Sequence, residues 1–165
     1  MSAKSMIYRF YRRISDVLEY AFYVETTGTL TVQELEELHW LIAETYEKDQ
    51  TGVIPFLKSE NAVEIGPRLT IETPFSSNAV GICQSMGLRT VTRIEQTRRF
   101  LTSDTLSCEA ILKAHLDRMT QQHLPNGIVT FDTGIVPEPV KVIDLIGLGR
   151  DELYRQNIAN GWGMD

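Results

Sequence analysis

The residues able to do acid–base, metal or thiol chemistry are few in this sequence and widely spaced. Its histidines are His39, His115 and His123, and its cysteines are Cys83 and Cys108. No histidine has a second histidine at the HExxH spacing that binds zinc. Two isolated cysteines make neither a zinc site nor a disulfide framework, so both are predicted to be reduced core thiols. We therefore predict no metal site.

Motifs for nucleotide binding or nucleophilic catalysis are also missing from the sequence. It contains no G-x-S-x-G elbow and no Walker A motif. Gly147 and Gly149 resemble the start of a dinucleotide fingerprint, but Glu152 stands where the third glycine is needed. The sequence therefore predicts no catalytic residue.

One stretch of the chain differs from the rest in charge. Residues 64–101 have a net charge of +2, whereas the remaining residues have −8. A helix predicted to start near Ser77 adds free backbone donors, and arginine forks suit phosphate and carboxylate groups. We predict an anion-facing or partner-facing surface made of Arg68, Thr73, Ser76, Ser77, Asn78, Arg93 and Arg99. Two alternatives stay open, a solvated strand face and a turn that only shapes the strand-to-helix corner.

The elements that must position these residues follow from hydrophobic periodicity and capping signals. Strands are predicted at 6–12, 17–27, 62–72 and 89–101, and helices at 32–46, 77–86, 108–123 and 150–160. Thr31 and Glu34 form a capping box, and Ser76 or Ser77 is the expected cap of the second helix. This order predicts an α+β domain with a roughly four-stranded, largely antiparallel sheet and helices packed on one face.

Length and composition set the broad class of protein. The chain has 165 residues, 42% hydrophobic and 23% charged, with a net charge of −6. These values are typical of a globular domain and argue against a nucleic-acid or membrane-surface partner. The start of the chain has no long apolar stretch typical of a signal peptide, so a cytoplasmic location is expected.

Four segments in one order carry a resemblance to a known family. They are GPRLTIETPFSSNAVGICQSMGL (66–88), VTRIEQTRRF (91–100), HLDRMTQQHLP (115–125) and VIDLIGLGRDELYRQNIANGWGMD (142–165). Together they resemble the N-terminal, PurS-like region of the large-type phosphoribosylformylglycinamidine synthases. Those enzymes convert formylglycinamide ribonucleotide to the amidine with ATP and glutamine, in purine biosynthesis.

The resemblance implies a PurS-like domain at 1–146 and the start of a truncated linker region at 147–165. It implies a non-catalytic scaffold that docks on the linker, synthetase and glutaminase domains, where ATP and Mg would bind, with no cofactor in this chain. A piece of a longer chain is expected rather than a separate subunit. Two other interpretations of the chain's function remain open: a free-standing small-molecule-binding regulatory α+β module, and an independent hydrolase using Cys83 or Ser77.

Overall fold

The computed structural model describes residues 5–44, 46–103, 106–136, 138–140 and 142–164. The chain forms two compact units, Met1–Thr133 and Gly134–Asp165. The predicted division between 146 and 147 stays a prediction.

The first unit is built on one antiparallel sheet. Its strands are β1 (Met6–Arg13), β2 (Leu18–Thr26), β3 (Thr51–Gly52), β4 (Ala62–Pro67), β5 (Val91–Leu101) and β6 (Gln121–His123). They lie in the order β3-β1-β2-β5-β4-β6, and each pair of neighbours is antiparallel. Four of these are the predicted strands, although β4 ends at Pro67 rather than at the predicted 72. β3 and β6 are short additions at the two edges. The predicted α+β class is confirmed.

The helices of this unit, α1 (Val32–Ile42), α2 (Pro74–Ser85) and α3 (Cys108–His115), pack on one face of the sheet. On this face the strands present apolar side chains at every second residue, the period of a half-buried strand. Phe22, Val24 and Ile94 meet Leu38 of α1, and Cys83 of α2 belongs to the same core. A second cluster packs Val63, Ile65 and Phe100 against Ile111 of α3.

The opposite face of the sheet is covered by a loop segment and is polar at its centre. Leu124, Ile128 and Phe131 pack onto Tyr11 and Tyr23. Between and beside these apolar contacts lie buried polar and charged side chains: Glu19, Glu64, Glu95, Thr97 and Arg99. The two faces of one sheet are therefore stabilised by different chemistry.

The start of α2 differs from the sequence prediction. The helix begins at Pro74 rather than 77, and its N-cap is Thr73, whose hydroxyl accepts the Ser76 backbone N–H at 3.1 Å. Proline fits the first helical position because it has no N–H to lose there. By contrast, the capping box of Thr31 and Glu34 on α1 is confirmed. That helix ends at Ile42, short of the predicted 46, and Thr45 lies outside the described residues.

The predicted helix at 108–123 is wrong in its second half. Ser107 caps α3 as expected, but the helix ends at His115. Asp117 then accepts the Met119 N–H (2.9 Å) and the Thr120 hydroxyl (2.7 Å), which forms a turn. Residues 121–123 leave this turn as β6 and pair with β4, so His123 lies in a strand rather than at a helix end.

The second unit contains two helices, α4 (Leu145–Leu148) and α5 (Arg150–Asn160). The side chain of Asp144 caps α4 by accepting the Gly147 N–H at 2.8 Å. The bounds of α5 agree with the predicted 150–160, and Gly161 ends it in the left-handed conformation (φ 64°).

Candidate functional site

The corner between β4 and α2 holds most of the predicted surface residues. Thr73 donates its hydroxyl to Glu95 at 2.7 Å while capping the helix. Ser76 is buried, accepts the Ile94 N–H at 3.2 Å and lies 3.2 Å from Glu72 Oε1. These contacts give Thr73 and Ser76 a role inside the domain, joining α2 to the middle of β5.

Arg93 is also engaged within this corner. Its guanidinium pairs with buried Glu95 at 2.9 Å and donates to the backbone carbonyls of Leu69 (3.1 Å) and Ile71 (2.7 Å). It lies over the Phe131 ring, 4.8 Å from the centroid. Arg93 therefore fastens the loop before α2 to β5.

Carboxylates already occupy the N-terminal end of α2. Glu95 accepts both the Thr73 N–H (3.3 Å) and its hydroxyl, and Glu72 accepts from Ser76. A helix N-terminus favours negative charge nearby, and here the chain supplies it. The predicted role of this corner as a surface for a partner's anion is untested by these contacts and stays a prediction.

Three of the predicted residues face solvent. Ser77 and Asn78 lie on the exposed side of α2, and Arg68 precedes it. Arg68 donates to the Arg118 backbone carbonyl at 2.7 Å, which holds it against the turn that precedes β6. These three side chains are the ones a docked partner would reach.

Arg99 is far from this corner. It lies six residues beyond Arg93 on the same face of β5, a separation of about 20 Å in an extended strand. It is 4% exposed, forms a close ion pair with Glu19 and lies 3.4 Å from Glu64 Oε2. The structure thus separates Arg99 from the other predicted surface residues and buries it.

The polar cluster around Arg99 was not predicted from the sequence. Glu64 accepts hydroxyl hydrogen bonds from Tyr23 and Thr97, each at 2.7 Å. Glu19 accepts two backbone N–H groups, from Phe56 (2.7 Å) and Leu57 (3.0 Å). The alternation of polar residues in β5 is the signal that could have indicated it. A cavity of about 240 Å³ adjoins the cluster beneath residues 124–127.

Burial shifts the titration of this cluster. It raises the pKa of Glu64 above its usual 4.5, although the Thr97 and Tyr23 hydroxyls and the Arg99 charge each lower it. Burial, together with the neighbouring Glu64 carboxylate, raises the pKa of Tyr23. Perturbed groups at a cavity can mark a functional site. Here Glu64 is held by Tyr23 and Thr97 of two other strands, an arrangement that also suits a structural role.

An apolar groove of about 210 Å³ opens between α1 and α2. Leu38 and Leu41 line it from α1, and Phe75, Ile82 and Cys83 line it from α2. Phe75 is 40% and Ile82 is 54% exposed, although both are large and apolar. The groove is therefore a second candidate for contact with another molecule.

The cysteines and two of the histidines differ in burial and in the groups they contact. Cys83 is buried, as predicted, and burial raises its thiol pKa. The prediction of a core thiol is wrong for Cys108, which is exposed at the start of α3. His39 stacks on Phe10, and His115 stacks on Phe100 with 4.5 Å between ring centroids. Within the described ranges, no three His, Cys, Asp or Glu side chains are grouped to hold a metal. None of the helices described is both long and apolar enough to span a membrane.

Comparison with known proteins gives one consistent family. A family profile described as the formylglycinamide ribonucleotide amidotransferase N-terminal domain matches residues 19–127. A probable chloroplastic/mitochondrial phosphoribosylformylglycinamidine synthase of Arabidopsis thaliana is 34% identical over 92% of the chain. Phosphoribosylformylglycinamidine synthases of Dictyostelium discoideum and Homo sapiens are 35% identical over 89% and 82% of it.

The match covers a small part of those relatives. The chain spans 12% of the Arabidopsis and Dictyostelium proteins and 11% of the human one. The profile covers the sheet from β2 to β6 and all three helices that pack on it. This chain therefore belongs to the family of formylglycinamide ribonucleotide amidotransferase N-terminal domains.

Proposed function

We propose that this chain is a non-catalytic docking domain of a phosphoribosylformylglycinamidine synthase, which acts in purine biosynthesis. In this proposal, the synthetase and glutaminase domains carry out the ATP- and glutamine-dependent conversion of formylglycinamide ribonucleotide to the amidine. ATP and Mg would bind there, and this chain would hold those domains through its surface.

The exposed apolar stripe of α2 is the observation that carries the docking role. Phe75, Ile82 and Met86 are 40%, 54% and 40% exposed. At 100° per residue, they and Asn78 fall within about 80° of one side of the helix. Several exposed apolar side chains on one side of a helix are typical of contact sites. It joins the groove beside α1, so α2 presents one continuous surface to a partner.

The pairing of the buried acids supports the non-catalytic part of the proposal. Glu19, Glu64 and Glu95 each accept a hydrogen bond from another part of the fold. Glu19 and Glu95 also form ion pairs with arginines of β5. A general acid or base needs a site where substrate can reach its carboxylate. These carboxylates instead join strands and loops of the domain.

The docking role is tested by Ile82→Glu, with Ile54→Glu as the matched control. Both isoleucines are exposed, 54% and 75%, but only Ile82 lines the groove. We expect both variants of this chain to melt close to the parent temperature. In a full-length synthase carrying the chain, Ile82→Glu should lower amidine synthesis at least about tenfold, as expected for a charge buried in an interface, while Ile54→Glu should not.

The predicted polar surface is tested in the same assay with Arg68→Ala and Ser77→Ala. Both side chains are exposed, so the melting temperature of the chain should change little while full-length activity falls. Equal activity of Ile82→Glu and Ile54→Glu would contradict docking through α2. Amidine formation by this chain alone, with substrate, ATP and an ammonia source, would contradict the non-catalytic role.

We also propose a cytoplasmic location. The Arabidopsis relative is named chloroplastic/mitochondrial, so organellar import is the competing outcome. Imaging of a fluorescent fusion in the source cells distinguishes the two.

A further inference from the structure

One edge of the sheet is left uncovered over several residues. β2 pairs with all eight residues of β1, but on the other side β3 pairs only with Tyr11 and Arg12. In the part of the chain that the structure describes, no strand pairs with residues 6–10 on this side. Every second residue of such an edge turns its N–H and C=O outward, ready to pair with another main chain.

The other edges of the sheet are short or covered. β3 is two residues long and β6 three, and very short edge strands resist pairing. β5 extends past β4 toward Val91, and there the Ile94 N–H is taken by the Ser76 hydroxyl at 3.2 Å. Among the described residues, neither a strand nor a side-chain cap of this kind covers β1 at residues 6–10.

Arg9, the charged residue at this edge, differs from the two other arginines of β1 in its partners. Arg12 pairs with Glu44 and Glu47, and Arg13 pairs with Asp16. Arg9 is exposed and has no carboxylate at ion-pair distance among the residues described. Its guanidinium lies over the Tyr23 ring (5.5 Å) and donates to the Ile128 carbonyl at 3.4 Å. The Arg9 charge lowers the pKa of Glu64, but among the described residues it forms no ion pair of its own.

We propose that the edge of β1 from Met6 to Arg9 binds an extended segment of a partner protein as an added β-strand. The main chain of β1 supplies the hydrogen bonds, and an Asp or Glu of the partner pairs with Arg9. Ile7 and Tyr8, both half-buried, precede the arginine and present apolar surface on the two faces of the sheet. The recognised sequence is therefore an acidic residue between apolar or β-branched ones.

A second copy of this chain fits the edge less well. If two β1 strands paired in antiparallel about Tyr8, Arg9 would lie opposite Ile7 of the other copy. The two Arg9 side chains would then be diagonal neighbours on one face, where like charges repel. Charge complementarity favours a different, acidic segment.

The proposal is tested with the whole chain and a displayed library of random peptides about eight residues long, the length of a strand. We expect selected peptides to be rich in Val, Ile, Thr and aromatic residues around one Asp or Glu. Arg9→Glu should weaken these peptides about fivefold or more, and fresh selection on it should favour Lys or Arg. Arg13→Glu is the matched control, since its charge lies on the same strand but has a partner in the chain.

Two measurements separate strand addition from other binding. N-methylation of alternate peptide nitrogens should abolish binding without any change to the protein. Hydrogen exchange should show new amide protection in β1. The proposal would be overturned if binding survives N-methylation in both registers, or if new amide protection appears only outside β1. It would also be overturned if Arg9→Glu keeps the preference for acidic peptides, if the chain self-associates in place of binding peptides, or if the selection yields no binding peptide.

Discussion

Removal of the Tyr23 hydroxyl tests whether the buried cluster holds an ionised Glu64. Tyr23 is 2% exposed and donates to Glu64 Oε1 at 2.7 Å. A hydrogen bond to a charged group contributes about 1.5–3 kcal/mol to stability. We expect Tyr23→Phe to lower the free energy of unfolding by about 2 kcal/mol, and for this length the melting temperature by about 4–8 °C.

The loss of unfolding free energy in Tyr23→Phe should depend on pH, and the raised pKa of Glu64 determines whether it grows or shrinks as pH rises. A group whose pKa is higher in the folded state stabilises the fold below its unfolded pKa, and that contribution is lost as pH rises through the folded pKa. The Tyr23 hydrogen bond lowers the Glu64 pKa, so Tyr23→Phe raises it further. The difference between variant and parent should therefore be larger at about pH 8 than at about pH 5.

Tyr11→Phe is the matched control for this experiment. Tyr11 lies on the same face of the sheet, with its ring 5.2 Å from the Arg99 guanidinium. No hydrogen bond of its hydroxyl is found in the residues described, so its removal should cost less than about 0.5 kcal/mol. Urea unfolding at both pH values measures all three proteins. An equal, pH-independent loss in the two variants would refute the reasoning.

Four further substitutions test the packing of the fold. Gly127→Ala should cost about 2 kcal/mol or more in urea unfolding, because φ is 66° and a Cβ would collide with the Tyr23 hydroxyl. Ile111 is fully buried between α3 and β4, so Ile111→Ala should lower the free energy of unfolding by about 3 kcal/mol. Ile82→Ala, on the exposed side of α2, should lower it by less than about 1 kcal/mol. Equal losses in the two variants would contradict the assigned core. Glu95→Gln should cost about 2 kcal/mol or more because it leaves a partly buried guanidinium without its charge partner, and proteolysis should then cleave the loop at 69–71 faster.

Signals within a few residues were enough to predict much of the fold. The capping box of Thr31 and Glu34 depends on groups three residues apart, and it fixed the start of α1 correctly. The strand predicted at 89–101 is found as β5 at Val91–Leu101, since strand composition is likewise a local signal. The end of α3 was missed because Leu116 and Met119 continue the helical apolar spacing of Ile111 and Leu112. The Asp117 side chain instead stabilises a turn there.

The polar cluster could not be predicted because it joins residues distant in sequence. Arg99 and Glu19 are 80 residues apart, and Glu64 meets Tyr23 across the intervening strand β5. Whether an arginine in β5 faces solvent or a buried carboxylate depends on the register of β2 and β4 beside it. Arg93 and Arg99 were therefore assigned to a surface by charge alone, while the structure shows both paired inside the fold.

The ionic face of the sheet has a consequence for how sequences of this family can drift. On the helix face, one aliphatic residue can replace another with small losses as long as volume is kept. Across Glu19, Arg99 and Glu64, a change of one residue leaves a buried charge without its partner, which costs about 3–5 kcal/mol. On the helix face, single substitutions should therefore accumulate one at a time. On the ionic face, a substitution should persist only when its charge partners change as well, so that Glu19, Arg99 and Glu64 change together among homologues or not at all.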